Sequence, residues 1–209
     1  MARPLPTRSG FVKSKVFSIH FCSIFMTKSE YDPLTLIYFQ CHEIVMEIVK
    51  TDKGIYPRNY KRFEKKRIEK YFRNISYKSK SINDFTTEMM SNLIVIHGLP
   101  NTNHRSTILF IGLVLEELDV RFPPYKLDSR GKKKWIDECN RYITKSKRIL
   151  YTRKRDKGYN EKHLKWTKEW LSEIIKDQSN SSGMMSRNLL TTLRNTSSSG
   201  DFSSVIVKK

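Results

Sequence analysis

TTEMMSNLIVIHGLPNTNHRSTILFIGLVLEEL, residues 86 to 118, is the stretch whose reading decides the fold. Phe85, Met89, Leu93 and Ile96 recur at spacings of three and four, which gives a helix with one apolar face running up to His97. Gly98, Pro100 and Asn101 break that path. From Thr107 to Leu118 the chain is apolar nearly all round, with acidic residues only near its end, and reads as a buried central helix; its Ile and Val content makes a strand the alternative. The loop between holds His97, Asn101, Asn103, His104 and Arg105 within nine positions. Free backbone N–H groups in the first turn, Asn103 to Thr107, together with the helix dipole make an anion site, and Arg105 adds a fork suited to phosphate. His97 sits across the same loop, where an imidazole of ordinary pKa, about 6.5, can accept a hydroxyl proton. The arrangement suits phosphoryl or nucleotidyl transfer to a hydroxyl.

Working outward, Asp32-Pro33 can cap and open a helix whose apolar positions Leu34, Ile37, Tyr38, Cys41, Val45, Ile48 and Val49 form a stripe, stopped by Lys53-Gly54. A basic amphipathic helix is expected next, with Tyr60, Phe63, Ile68, Tyr71, Phe72 and Ile75 on its apolar side. Tyr77 to Asn83 has no helical period and reads as a loop or a short β-hairpin flap. Asn83 or Asp84 is the expected N-cap of the helix that follows. Beyond Phe122-Pro123-Pro124, two further helices are expected over Lys132 to Leu150 and around Leu164 to Ile175. From Gln178 the composition shifts to Ser, Asn, Thr and Gly, which reads as a flexible tail over 178–209. The sum is an all-α domain over 32–177.

Length and charge bound the rest. A chain of 209 residues is ample for one domain with loose ends. Its 40 Lys and Arg against 21 acidic residues give a formal charge of +19, which favours a polyanionic partner or substrate: nucleotide, nucleic acid or ribosome. Cys22, Cys41 and Cys139 lack any CxxC pairing, so neither a disulfide framework nor a zinc site is indicated, and a reducing, cytoplasmic setting is expected. No apolar run approaches the roughly 18 to 20 residues that span a bilayer, so no membrane is expected among the partners. Residues 1–25 carry the outline of a signal peptide in Val16 to Met26 but contain His20 and lack a small-x-small cleavage pattern; they read as an upstream extension with a mis-assigned start.

At HGLPNTNHR (His97 to Arg105) the chain resembles the Fic/Doc family, whose motif is H-x-F-x-[D/E]-G-N-[G/K]-R. His97, Asn103 and Arg105 fall at the motif's His, Asn and first Arg, and LIYFQCHEIVMEIV (Leu36 to Val49), with His42-Glu43, is similar to the first helix of the Doc branch. The similarity spans roughly Pro33 to Phe122. It implies an all-helical fold, His97 as general base toward a protein Ser, Thr or Tyr hydroxyl, and Thr102, Asn103, His104, Arg105 and loop N–H groups holding the phosphates of ATP. Fic members transfer AMP with Mg2+; the Doc branch phosphorylates. Asn101 stands at the acidic Mg2+ position, where a neutral amide is the poorer ligand for a hard dication. Thr102 replaces the loop glycine, a restriction if that residue needs positive φ. His104 takes the Gly/Lys position and Ile108 stands where a second Arg would be, which leans toward the Doc side. No inhibitory [S/T]xxxE[G/N] run is present in the terminal segments, so restraint would fall to a separate partner, as in a toxin with its antitoxin.

Blander readings stand beside these. His42 faces the core stripe and reads as a satisfied core histidine, and Trp166 and Trp170, one turn apart, read as packing residues. His97 and His104, seven apart across a loop, match no metal-ligand pattern. Lys145 to Trp166 and the 58–74 segment interleave basic and aromatic residues, the composition of a nucleic-acid binder. A third reading is a Fic fold that has lost catalysis and serves as a scaffold.

Overall fold

A computed structural model describes residues 31–123, 129–154, 156–176 and 182–196. The extension expected at 1–25 and the end of the tail lie outside them. The described residues form seven α-helices, a short 3-10 turn at Thr152–Lys154 and one isolated β-bridge, the all-α class expected from the sequence.

Helix α1 (Pro33–Lys53) begins where the side chain of Asp32 accepts a hydrogen bond from the Leu34 amide at 3.0 Å, and Pro33 supplies the preset first turn. It ends at Gly54, whose φ of 70° lets its amide close on the Lys50 carbonyl at 2.7 Å. Helix α2 (Lys65–Arg73) is shorter than the periodicity predicts. Residues 55–64 leave the helical path because their backbone finds partners elsewhere: the Tyr60 amide donates to the Pro100 carbonyl and the Glu64 amide to the Gly98 carbonyl. Gly98 is needed for that approach. A β-carbon there would stand 2.6 Å from Ile68 Cγ1 and 2.7 Å from Cδ1, and Ile68 is fully buried. Gly98→Ala is therefore expected to destabilise the fold by about 1–3 kcal/mol, seen as a lower urea midpoint; an unchanged midpoint would refute the close packing of loop on α2.

Helix α3 (Ile82–Ile96) is capped by Ser81, not by Asn83 or Asp84: the Ser81 hydroxyl accepts from the Asp84 amide and donates to the Asp84 carboxylate at 2.8 Å. The hairpin expected over 77–83 is replaced by a bridge to a distant segment, Ser81 to Met184, with Ile82 N–H donating to Gly183 and Met185 N–H to Lys80. Helix α4 (Asn103–Glu117) is buried along nearly its whole length, so the helix reading of 107–118 holds and the strand alternative falls.

Helices α5 (Ser129–Tyr151) and α6 (Tyr159–Ile174) pack on each other, and α6 packs along α3, which in turn packs on α4, and α4 on α1. Trp170 is fully buried between Trp135 and Tyr142, with ring centroids 6.0 and 4.5 Å away, and Trp166 stacks on Tyr142 beneath the Lys145 ammonium, so both tryptophans are packing residues. The stretch read as a flexible tail contains helix α7 (Arg187–Thr196), which packs on α1 through buried Leu190 and Leu193. Arg194 fixes its end, pairing with Asp32 at 2.7 Å and donating to the Phe72 carbonyl. Two leucines and one ion pair dock a segment whose composition resembles a linker.

Candidate functional site

The loop between α3 and α4 is built around two residues in the left-handed backbone region. His97 caps α3 at φ 53°, and its amide closes on Leu93; Thr102 precedes α4 at φ 50°. For a β-branched residue that conformation is an outlier, normally left to glycine, and it persists only where its surroundings enforce it. Here they do. The Thr102 hydroxyl lies 3.0 Å from His42 Nδ1 on α1, 3.2 Å from Asn101 Oδ1 and 3.2 Å from Ser106 Oγ. His42 is a buried histidine, as expected, but it spends its bond on the loop. Burial lowers its pKa, which keeps the ring neutral.

Asn103 clasps the loop. Its Oδ1 accepts from the Leu99 amide at 3.0 Å, and its Nδ2 donates to the Leu99 carbonyl at 2.9 Å and to the Tyr60 hydroxyl at 3.2 Å. Asn101 is equally engaged: its Nδ2 is shared among Pro57 O, Arg58 O and Asn59 Oδ1, and its Oδ1 accepts from Thr102. That amide is a strap holding residues 57–59 over the loop. It is not poised as a metal ligand, and no group of three or more His, Cys, Asp or Glu side chains that could hold a metal occurs among the described residues. The donor set does not fit a protein-held Mg2+.

The side chain of His104 turns inward. Its Nε2 lies 2.8 Å from Ser146 Oγ on α5, Ser146 lies 2.7 Å from His163 Nε2 on α6, and His163 Nδ1 lies 2.8 Å from Ser91 Oγ on α3. This buried chain ties four helices together behind the loop. The contribution of His104 to an anion site is thereby limited to its backbone N–H, whereas Arg105 is exposed and free to reach a ligand.

His97 is half-buried with its Nε2 3.2 Å from the Tyr60 hydroxyl. Burial is the main cause of its low pKa, about 4; the cations of Lys61, Arg153 and Lys147 add to the shift, and Glu64 opposes it. The ring is neutral at pH 7 and holds a lone pair. Tyr60 accepts from the Asn103 amide and pairs with His97 Nε2; in the Nδ1–H tautomer of the neutral ring the Tyr60 hydroxyl donates to Nε2.

These groups border one cleft of about 1100 Å3, into which His97, Asn101, Thr102, Asn103, His104 and Arg105 all come. Its far wall is the end of α5 with Lys147 and Tyr151 and the 3-10 turn after it with Arg153, and no carboxylate is found among the described residues that line it. The first amides of α4 have no intrahelical acceptor, and the residues that bear them, Asn103, His104 and Arg105, line this positive cleft. Sequence reasoning found the loop residues but missed Tyr60, which it placed on an apolar helix face, and the specific cations at and just beyond the end of α5. The only signal for the latter was the basic run within 145–166.

No helix among the described residues is long and apolar enough to cross a membrane. Comparison with curated proteins and with solved structures gave no match. A protein-family model covers residues 25–186, a span that takes in helices α1 to α6, the loop and the whole cleft. The chain accordingly belongs to that family, which is described as a family of unknown function (DUF8172).

Proposed function

We propose that the chain is a Fic/Doc-like transferase that moves AMP or phosphate from ATP to a protein hydroxyl. One observation carries the reading: a neutral imidazole, His97 Nε2, faces a hydroxyl at 3.2 Å beside the first turn of α4, in a cleft walled by Arg105, Lys147 and Arg153. A base near an acceptor hydroxyl and an anion site beside both are the parts that phosphoryl or nucleotidyl transfer requires. The left-handed Thr102 supports it further, since the threonine adopts the backbone that the family's glycine would supply.

In this reading His97 is the general base. The α4 amides and Arg105 hold phosphate, while Asn103, Thr102 and His42 position the loop. Asn101 holds the 57–59 segment, so any Mg2+ would arrive with the nucleotide and not on a protein carboxylate. Action in the cytoplasm, as a toxin restrained by an antitoxin partner, belongs to the same reading. The second reading, a nucleic-acid binder on a fold without catalysis, is favoured by Tyr151, 89% exposed at the cleft wall beside Lys147 and Arg153.

The two readings separate in one experiment. Purified chain is incubated with cell lysate and ATP labelled at the α or, separately, the γ position, with and without added Mg2+. Label transferred to protein from α means AMP transfer, and from γ only, phosphorylation. Absence of both, with no bound nucleotide and with steeply salt-dependent binding of an oligonucleotide, would replace the transferase with the polyanion binder.

A further inference from the structure

Tyr60 lines the cleft from outside both the loop and the helices. It lies on the irregular 55–64 segment, 61% exposed, and that segment is anchored over the loop by the Tyr60 and Glu64 amides and by the Asn101 strap. Exposure of this kind does not suit a core aromatic. Its hydroxyl nevertheless makes two bonds, accepting from Asn103 Nδ2 and pairing with His97 Nε2, to which it donates in the Nδ1–H tautomer, both at 3.2 Å. The Tyr60 and His97 rings sit 5.8 Å apart, tilted by 34°. The phenol thus stands in the position that a substrate hydroxyl would take against the base, at the mouth of the cleft whose far wall carries Lys147 and Arg153.

We propose that Tyr60 is a modification site of this chain, its phenolic oxygen accepting a nucleotidyl or phosphoryl group from a nucleoside triphosphate bound in the same cleft. The proposal rests on the transferase reading. In the step, the Tyr60 oxygen bonds to the attacked phosphorus and the bond from that phosphorus to its bridging oxygen breaks. Pyrophosphate leaves after attack at the α position, or nucleoside diphosphate after attack at the γ position, and the phenolic proton passes to His97 Nε2. A bimolecular encounter is avoided because base and acceptor are already in contact, which is the condition under which intramolecular transfer gains most. Once modified, Tyr60 can no longer donate to His97, and its added charge is drawn toward Arg153 and Lys147.

The test uses the full chain with labelled ATP, first alone and then with lysate. Label is expected on the chain itself, at a fractional rate independent of chain concentration, with the mass increase of AMP or phosphate on the peptide containing Tyr60. Tyr60→Phe is expected to reduce self-label to background; the ring is mostly exposed and its backbone bond to Pro100 is kept, and circular dichroism checks the fold. Localisation of the added mass in the wild-type chain decides the matter even if the variant misfolds. Labelled lysate proteins with an unmodified Tyr60 peptide, or label on another residue of the chain, would overturn the proposal and leave the transferase reading standing. A self-labelling rate rising with chain concentration would overturn its intramolecular step. No label anywhere, with nucleotide bound, would overturn both.

Discussion

His97→Asn is expected to lower label transfer from ATP by roughly 10²- to 10⁴-fold while leaving the fold and nucleotide binding in place. The magnitude is that of a lost general base. Asparagine is the better replacement than alanine for a backbone reason: position 97 sits at φ 53°, a region that asparagine tolerates and alanine does not, so His97→Ala would mix a catalytic loss with strain. An amide cannot take a proton from a phenol or an aliphatic alcohol at pH 7, yet it can still hydrogen-bond Tyr60. Measured by initial rates, a deficit confined to turnover, with ATP affinity unchanged, fits a group that acts on the hydroxyl. Transfer within a few-fold of wild type would remove His97 from the chemistry. Because burial and nearby cations hold its pKa at about 4, the wild-type rate should not fall as pH drops from 8 to 6, where a free histidine would begin to protonate.

Acidification should unfold the protein more readily than its helical content suggests. His163 is fully buried and held at about 4, and His104 is nearly so and held at about 3; burial is the first cause in both. In the unfolded chain both rings titrate near the ordinary value of about 6.5. Both folded pKa values are depressed, so below pH 6.5 the unfolded state takes up protons that the folded state refuses. Stability is complete above that pH and falls as pH drops toward 4. From pH 7 to 5 the loss is about 2 kcal/mol for each ring, a large fraction of a typical 5–15 kcal/mol total. The hydrogen-bond pattern explains why refuge is lacking: the Ser146 hydroxyl has one proton to share between His104 and His163, and protonating both rings would set two cations on one serine. Urea midpoints at pH 7 and 5 measure the effect, and His163→Leu should flatten the slope even if it lowers the midpoint at pH 7. A wild-type midpoint indifferent to pH in this range would show that the rings already carry protons or reach water.

The sequence by itself determined the elements whose signals are local. The cap at Asp32-Pro33, the stop at Gly54, the apolar faces of α1, α3, α5 and α6 and the nearly all-apolar α4 are set by side chains three or four positions apart, and the break at Gly98-Pro100 fixes where the loop lies. It thereby also placed His97, Asn101, Thr102, Asn103, His104 and Arg105 together, because six of nine consecutive residues cannot go far apart. Only the tertiary structure decided which way those side chains face. Asn101 and Asn103 are committed to residues 57–60, some forty positions earlier, and His104 to Ser146, forty-two positions later. The same non-local bonding delayed the start of α2, turned the 77–83 segment toward Met184 instead of back on itself, and docked α7. A hydrogen bond or an apolar contact between distant residues leaves no period in a sequence, and for that reason Tyr60, the residue that meets His97, could be read there only as one more aromatic on a stripe.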